Sequence, residues 1–278
     1  MTFRIRRNLG KFISLTILAL GLGIVLIPFW YMIITSFKPQ TMIFELPPHL
    51  WPRIWTLNNY IAALGKDRFG RYFLNSAFVA LATTVLTVII SSMTAYVFAR
   101  FHFRGKEQIF YLFLLGMMVP PVMLIIPQFM VAKWLNLFNY SGLILVYITM
   151  NIALQTFLLR GVFENVPVDL EEAAVIDGGG SWTIFTKIII PLSLPGIAVV
   201  VINTFLYSWE EFAWANVAIK NSSLRTLPIA IALFQSEHLT EWGQVFAASL
   251  VALIPVVIIF IIFQRYFIQG ISTTGLKG

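Results

Sequence analysis

Cysteine is absent from this chain, which removes disulfides, thiolate nucleophiles and most soft-metal sites from consideration. Histidine is scarce: His49, His102 and His238 lie far apart, without the spacing of a ligand set. Charge is scarce too. Asp, Glu, Lys and Arg make up 11% of the 278 residues, against about 25% in a soluble domain. No Gly-x-x-x-x-Gly-Lys-Ser/Thr loop occurs, so the chain is not expected to bind ATP or to act as an enzyme on its own.

What remains is apolar. Hydrophobic residues make up 59% and the mean hydropathy is +0.84, the signature of an integral membrane protein. A bilayer core about 30 Å thick takes roughly 20 helical residues to cross. Apolar runs at 12–36, 74–99, 108–130, 141–160, 196–219 and 244–264 are therefore expected to form six transmembrane helices of one all-α membrane domain, residues 1–278. Barrel strands would alternate in polarity, and these runs do not. Arg4, Arg6, Arg7 and Lys11 precede the first run, which is long and has no small-residue cleavage site, so an uncleaved first span is expected.

The formal charge of +7 sits in short clusters at the ends of apolar runs, where basic residues anchor spans rather than grip nucleic acid. With the N-terminus inside, the Lys and Arg at 4, 6, 7, 11, 100, 104, 106, 160, 187, 265 and 277 are cytoplasmic, and those at 38, 53, 66, 68, 71, 133, 220 and 225 lie outside. Five of the latter belong to the long first loop, 38–72, so both termini are expected in the cytoplasm of a multi-pass plasma-membrane protein. That loop, rich in proline and aromatic residues, reads as an ordered extramembrane cap with little regular structure. The cluster Arg100, Arg104 and Lys106 follows the same charge rule, with an interface contact as the alternative. Pro28, Pro120, Pro121, Pro127 and Pro255 break helical runs, as packing bends or as hinges.

Between the fourth and fifth runs lies a polar island, Asp169-Leu-Glu-Glu-Ala-Ala-Val-Ile-Asp-Gly178-Gly-Gly-Ser-Trp182, inside a loop spanning 161–195. Asp169 followed by Glu172 fits a capping box, with Asp169 accepting first-turn amides. Leu170, Ala173 and Ala174 then share a narrow face of a short helix that Gly178 to Gly180 terminate. A second helix is expected from Ser181, with Trp182, Phe185 and Ile189 on one side, ending at Pro191.

Glu172-Ala173-Ala174, Asp177-Gly178, Ile188 and Pro191 at these spacings resemble the EAA loop of ABC importer permeases. Ser36 to Pro39, Asn59-Tyr60, Asn75-Ser76, Ala95-Tyr96, Phe103 to Gly105 and Pro167 extend the likeness to the shorter subunit of the maltose-type carbohydrate permease family. The resemblance implies a type I importer fold, with a coupling helix between spans four and five that docks on a cytoplasmic ATPase. Glu172 would be the ion-pairing residue, Ala173 and Ala174 the close-packing surface, and Gly178 the elbow. It also implies a second homologous permease, two ATPase subunits that carry the ATP and Mg, an extracytoplasmic solute-binding protein and a carbohydrate solute. Gly275, Lys277 and Gly278 would form an ATPase-contacting tail, although Thr274-Gly275-Leu276 replaces the family's usual ending.

In the fifth run, Asn203, Tyr207, Trp209, Glu210, Glu211 and Trp214 are candidates for the substrate pathway. Acids inside a span face a cavity or a partner, and aromatic rings beside hydrogen-bonding groups suit a sugar. The two tryptophans equally fit a packing role. Trp209-Glu210-Glu211 stands where the family commonly has Trp-Asn, and two carboxylates disfavour an anionic solute. A stand-alone secondary transporter or channel is the rival reading; it calls for ionisable residues in several spans and leaves the island without a role.

Overall fold

The computed structural model describes residues 2–47, 49–65, 69–235 and 240–274. The tail residues Gly275, Lys277 and Gly278 lie outside the described residues. Four helices are long and apolar enough to cross a membrane, and two bent helix pairs bring the number to six if each pair is one span.

The chain forms two compact units. The first comprises Met1–Phe69 and Ile231–Leu253. It opens with α1 (Thr2–Ser36), in which no residue from Lys11 to Ile33 is buried by this chain, whereas Ile34, Thr35 and Ser36 are. After α1 the loop is held by buried polar contacts rather than by regular structure. Asn59, at the start of α2 (Asn58–Gly65), donates its amide to the carbonyls of Ser36 (2.8 Å) and Lys38 (2.7 Å), satisfying the open end of α1. Ser36 and Tyr60 share a hydroxyl–hydroxyl bond of 2.8 Å, and Lys38 reaches the carbonyl of His49 at 2.6 Å. The Ser36 to Pro39 and Asn59-Tyr60 motifs are thus two sides of one buried knot. Within the 38–72 loop the structure adds the helix α2 and an early start of the next span.

The second unit comprises Gly70–Ala230 and Ile254–Gly278. Its helices are α3 (Phe69–Arg100), α4 (Lys106–Met117), α5 (Ile125–Trp134), α6 (Tyr140–Glu164), α7 (Asp169–Ile176), α8 (Ser181–Ile184), α9 (Ile190–Leu192), α10 (Leu194–Glu210), α11 (Ala213–Ala218), α12 (Leu227–Ala232) and α13 (Trp242–Thr274), the last entering from the first unit. The helix expected over 108–130 is two helices bent by 93°. Pro120 and Pro121 remove consecutive amides from the ladder, and a 3₁₀ turn, Pro121–Leu124, replaces the α-helix there. The helix expected over 196–219 stops at Glu210 and restarts at Ala213, although the hydropathy runs on. Pro28 and Pro255, by contrast, lie inside continuous helices.

Two apolar clusters organise this unit. One gathers Val79, Leu143, Tyr147, Trp214, Ala215 and Ala218; the other gathers Ala95, Leu159, Phe163, Ile184, Phe185 and Val200. Between their members, steps of four residues place polar side chains on the same helical faces: Thr83 and Thr87 on α3, Asn151 and Gln155 on α6, Thr204 on α10. All five are buried.

Candidate functional site

The island folds into two short helices around a glycine elbow. Val168 is already helical (φ −66°, ψ −30°), and its carbonyl accepts the amides of Glu171 (2.8 Å) and Glu172 (3.0 Å). The first turn of α7 therefore begins one residue earlier than the capping box requires. Asp169 caps nothing, and Glu172 does not reach back; instead Asp169, Glu171 and Glu172 all lie in the first turn, where carboxylates meet the positive end of the helix dipole. At the other end the amide of Gly178 bonds the Val175 carbonyl (3.0 Å) and that of Gly179 the Ala174 carbonyl (2.7 Å), a complete Schellman motif. Gly178 has φ +82°, and a Cβ on Gly179 would lie 2.8 Å from the Ala174 carbonyl oxygen. The elbow requires glycine at both positions.

Successive helical residues point about 100° apart, and this separates the two adjacent glutamates. Glu171 turns inward and pairs with Arg100, the last residue of α3; their side chains are 12% and 13% exposed. Arg100 also donates from Nη2 to the Val166 carbonyl at 2.7 Å. Glu172 turns outward with Ala173 and Ile176, all three exposed, and among the described residues it has no ion-pair partner. Ala174 does not share that outer face: it packs on the cluster of Phe163 and Phe185. The expected face of Leu170, Ala173 and Ala174 is therefore divided between outside and core. Ile176 is 86% exposed, and Asp177 ends the helix beside it, also exposed. A groove of about 460 Å³ runs between α7 and α8, lined by Tyr96, Arg100, Glu171, Glu172, Ile176 and Ser181 among others.

Beyond the elbow, Ser181 starts α8 as expected. From Phe185 to Ile189 the chain widens to a π-turn, in which Ile190 donates to the Phe185 carbonyl five residues back. Pro191 explains this, since it has no amide to offer the Lys187 carbonyl. Pro191 itself is exposed in α9. Ile184, Phe185 and Ile189 are buried in the second apolar cluster, whereas Trp182 is 66% exposed, so the expected inner face of Trp182, Phe185 and Ile189 holds for the last two. Tyr96, one turn before Arg100 on α3, lies against the Phe185 ring at 5.1 Å and donates to the Ser181 carbonyl at 3.4 Å. Sequence reasoning gave Arg100 the charge rule, with an interface contact as the alternative, and singled out Glu172 through the family resemblance alone; it did not find the inward pairing of Glu171. The signal available was the one-turn spacing of Tyr96 and Arg100 beside the Ala95-Tyr96 motif.

The second group of residues surrounds the end of α10. Trp209 and Trp214 are each 3% exposed. Trp209 lies between Phe73 (5.4 Å, edge-on) and Phe205 (5.7 Å, stacked), and Trp214 belongs to the first apolar cluster. Glu211 breaks the helix with an extended backbone, ψ 123°, and its carboxylate accepts from the amides of Trp214 (2.7 Å) and Ala215 (3.1 Å) and from the buried Tyr147 hydroxyl (2.6 Å). It thereby caps α11 and ties it to α6. Asn203 and Tyr207 are half-buried, Tyr207 edge-on to Tyr147 at 6.0 Å, and Glu210 is exposed.

Comparison with known proteins agrees with this architecture. Residues 87–273 match the model of the family described as binding-protein-dependent transport system inner membrane component. The chain is 35% identical over 281 residues to the trehalose/maltose transport system permease protein MalG of Thermococcus litoralis, covering 98% of this chain and 99% of that one. It is 35% identical over 254 residues to the sulfoquinovosyl glycerol transport system permease protein SmoH of Agrobacterium fabrum, covering 91% and 89%. A chain in the crystal structure of a bacterial ABC transporter that imports the acidic polysaccharide alginate superimposes with a TM-score of 0.81 at 22% identity, over 94% of this chain and 97% of that one. With the family model spanning most of the chain and relatives aligned nearly end to end, this protein belongs to the binding-protein-dependent inner-membrane permeases of ABC transporters.

Proposed function

We propose that this chain forms half of the translocation pathway of an ATP-driven carbohydrate importer, with both termini and the 165–193 segment in the cytoplasm. The observation that carries the reading is the split between the adjacent acids: Glu171 is paired inside the chain, while Glu172, without an ion-pair partner among the described residues, stands exposed beside Ala173 and Ile176 on a helix capped at its C-terminal end. A charge so placed contributes orientation and specificity at an interface more than raw affinity. In the complete importer Glu172 pairs with a basic residue of the ATPase, Ala173 allows close approach, Asp177 and Gly178 shape the end of the docking helix, and Pro191 sets the turn into α10. The tail at Gly275, Lys277 and Gly278 is a second ATPase contact in this reading.

Two ATPase subunits, carrying ATP and Mg, a second homologous permease and an extracytoplasmic solute-binding protein complete the assembly. Support for the last comes from a structural neighbour, an alginate ABC transporter solved with its pentasaccharide-bound periplasmic protein, which shares this fold with a TM-score of 0.68. The names of the trehalose/maltose and sulfoquinovosyl glycerol relatives support a glycan solute. Along α10 the pathway contacts in this proposal are Asn203, Tyr207 and the exposed Glu210. Trp209, Glu211 and Trp214 shape that wall from behind, since their side chains are held within the chain.

In proteoliposomes holding both permeases and both ATPases, a panel of trehalose, maltose, their longer oligomers and sorbitol, each with the solute-binding protein, tests this directly. ATP hydrolysis is expected to rise severalfold with one member of the panel, and Glu210→Gln is expected to weaken that response. Uptake that runs on an ion gradient without ATP would establish the stand-alone transporter instead.

A further inference from the structure

We infer that Arg100 is the positioning residue that ties the docking helix to α3, so that movement of the ATPases reaches the membrane through α3. The inference rests on the docking role proposed for α7.

The guanidinium is planar and presents its donors in a fixed fork. Arg100 uses Nε for Glu171 on α7 and Nη2 for the Val166 carbonyl in the link between α6 and α7, so one rigid group fixes both. One turn earlier on the same face of α3, Tyr96 holds the other limb of the elbow through the Ser181 carbonyl and the Phe185 ring. Helix α3 therefore grips α7 and α8 separately, on either side of Gly178. The glycines between the two limbs give the elbow no side chains with which to transmit a load, so α7 without Arg100 is joined to the bundle chiefly through the chain at its two ends and the packing of Ala174. The pair is mostly shielded from water, where salt screens it little. Glu172 presents the charge to the partner, and Arg100 keeps the helix beneath that charge from yielding.

The test uses the full importer in proteoliposomes, the saccharide that stimulates wild-type hydrolysis as radiolabelled probe, and the ratio of solute imported to ATP hydrolysed as readout. Arg100→Met keeps the apolar stem and loses the fork. It is expected to leave ATPase co-purification intact and to lower the ratio about tenfold, within the range typical of a coupling between two sites. Arg100→Lys, with charge but no fork, is expected to lie between Arg100→Met and wild type, and so is the swap R100E/E171R, which restores the pair without the Val166 contact. Should Arg100→Met be absent from the membrane, Glu171→Gln reads the same contact and is expected to lower the ratio by a smaller factor. An unchanged ratio in Arg100→Met, or in Glu171→Gln where that variant replaces it, overturns the role of Arg100. Glu172→Lys separates the two ideas. If it uncouples import while the Arg100 variants do not, the docking reading stands and the α3 link falls; if neither alters the ratio, both fall.

Discussion

Glu172→Lys is expected to abolish solute import while leaving the permease inserted and folded. The side chain is exposed and makes no ion pair among the described residues, so its replacement lies within the range of about ±0.5 kcal/mol typical of surface changes. At a docked interface the same change sets a cation against the partner's cation. Like charges so placed cost several kcal/mol, and each 1.4 kcal/mol is about tenfold in affinity. Import is expected to fall by about two orders of magnitude or more, together with the fraction of ATPase that co-purifies. Glu171→Lys provides the contrast. It turns a cation toward Arg100 in a mostly buried setting, so it is expected to lower the thermal stability of the permease even without its partners. Normal uptake in Glu172→Lys would remove this residue from the interface.

Glu211→Leu is expected to be the most destabilising single change near α10. Three donors lose their acceptor at once: the amides of Trp214 and Ala215 and the hydroxyl of Tyr147. A buried donor left unsatisfied costs about 1–3 kcal/mol, and Tyr147 is 1% exposed, so a total loss of roughly 3 kcal/mol or more follows. Tyr147→Phe alone is expected to cost about 1–2 kcal/mol, since Glu211 keeps both amides. Introduced into Glu211→Leu, it should cost almost nothing further, because the hydroxyl it removes is already stranded. Thermal unfolding of the four proteins in detergent checks this. Additive losses would show that the Tyr147–Glu211 bond does not hold α11 to α6.

These residues also mark how far the sequence is legible. The two-helix island and its glycine elbow follow from residue types at fixed spacing. A glycine triplet after a short acidic helix has few other uses, and the left-handed φ of Gly178 is what that pattern demands. The capping role expected of Asp169 failed on a single dihedral pair, the helical conformation of Val168, which moved the start of the helix by one residue. Glu171 and Glu172 are chemically alike, and what distinguishes them is the end of α3, some seventy positions earlier in the chain. No local pattern carries that information.

The spans show the same division. Prolines 120 and 121 announced a disruption, but a bend of 93° depends on what the two halves pack against. The break after Glu210 was hidden by hydropathy, because Phe212 to Ile219 remain mostly apolar. It exists because the Glu211 carboxylate supplies acceptors for the first turn of a new helix. Trp209 and Trp214 fitted either a sugar-facing or a packing role by residue type alone. Their burial against Phe73, Phe205 and the first apolar cluster shows that both pack within this chain.

One labelling experiment bears most directly on the docking of α7. The chain has no native cysteine, so Ala173→Cys gives a single thiol on the outward face. A membrane-impermeant maleimide is expected to modify it from the cytoplasmic side when the permease stands alone, and to leave it largely unmodified once the ATPases are assembled. Lys220→Cys, expected on the opposite side, should react equally in both. Modification of Ala173→Cys that is unaffected by the ATPases, or that occurs from the outside, would contradict the docking of this helix on an ATPase.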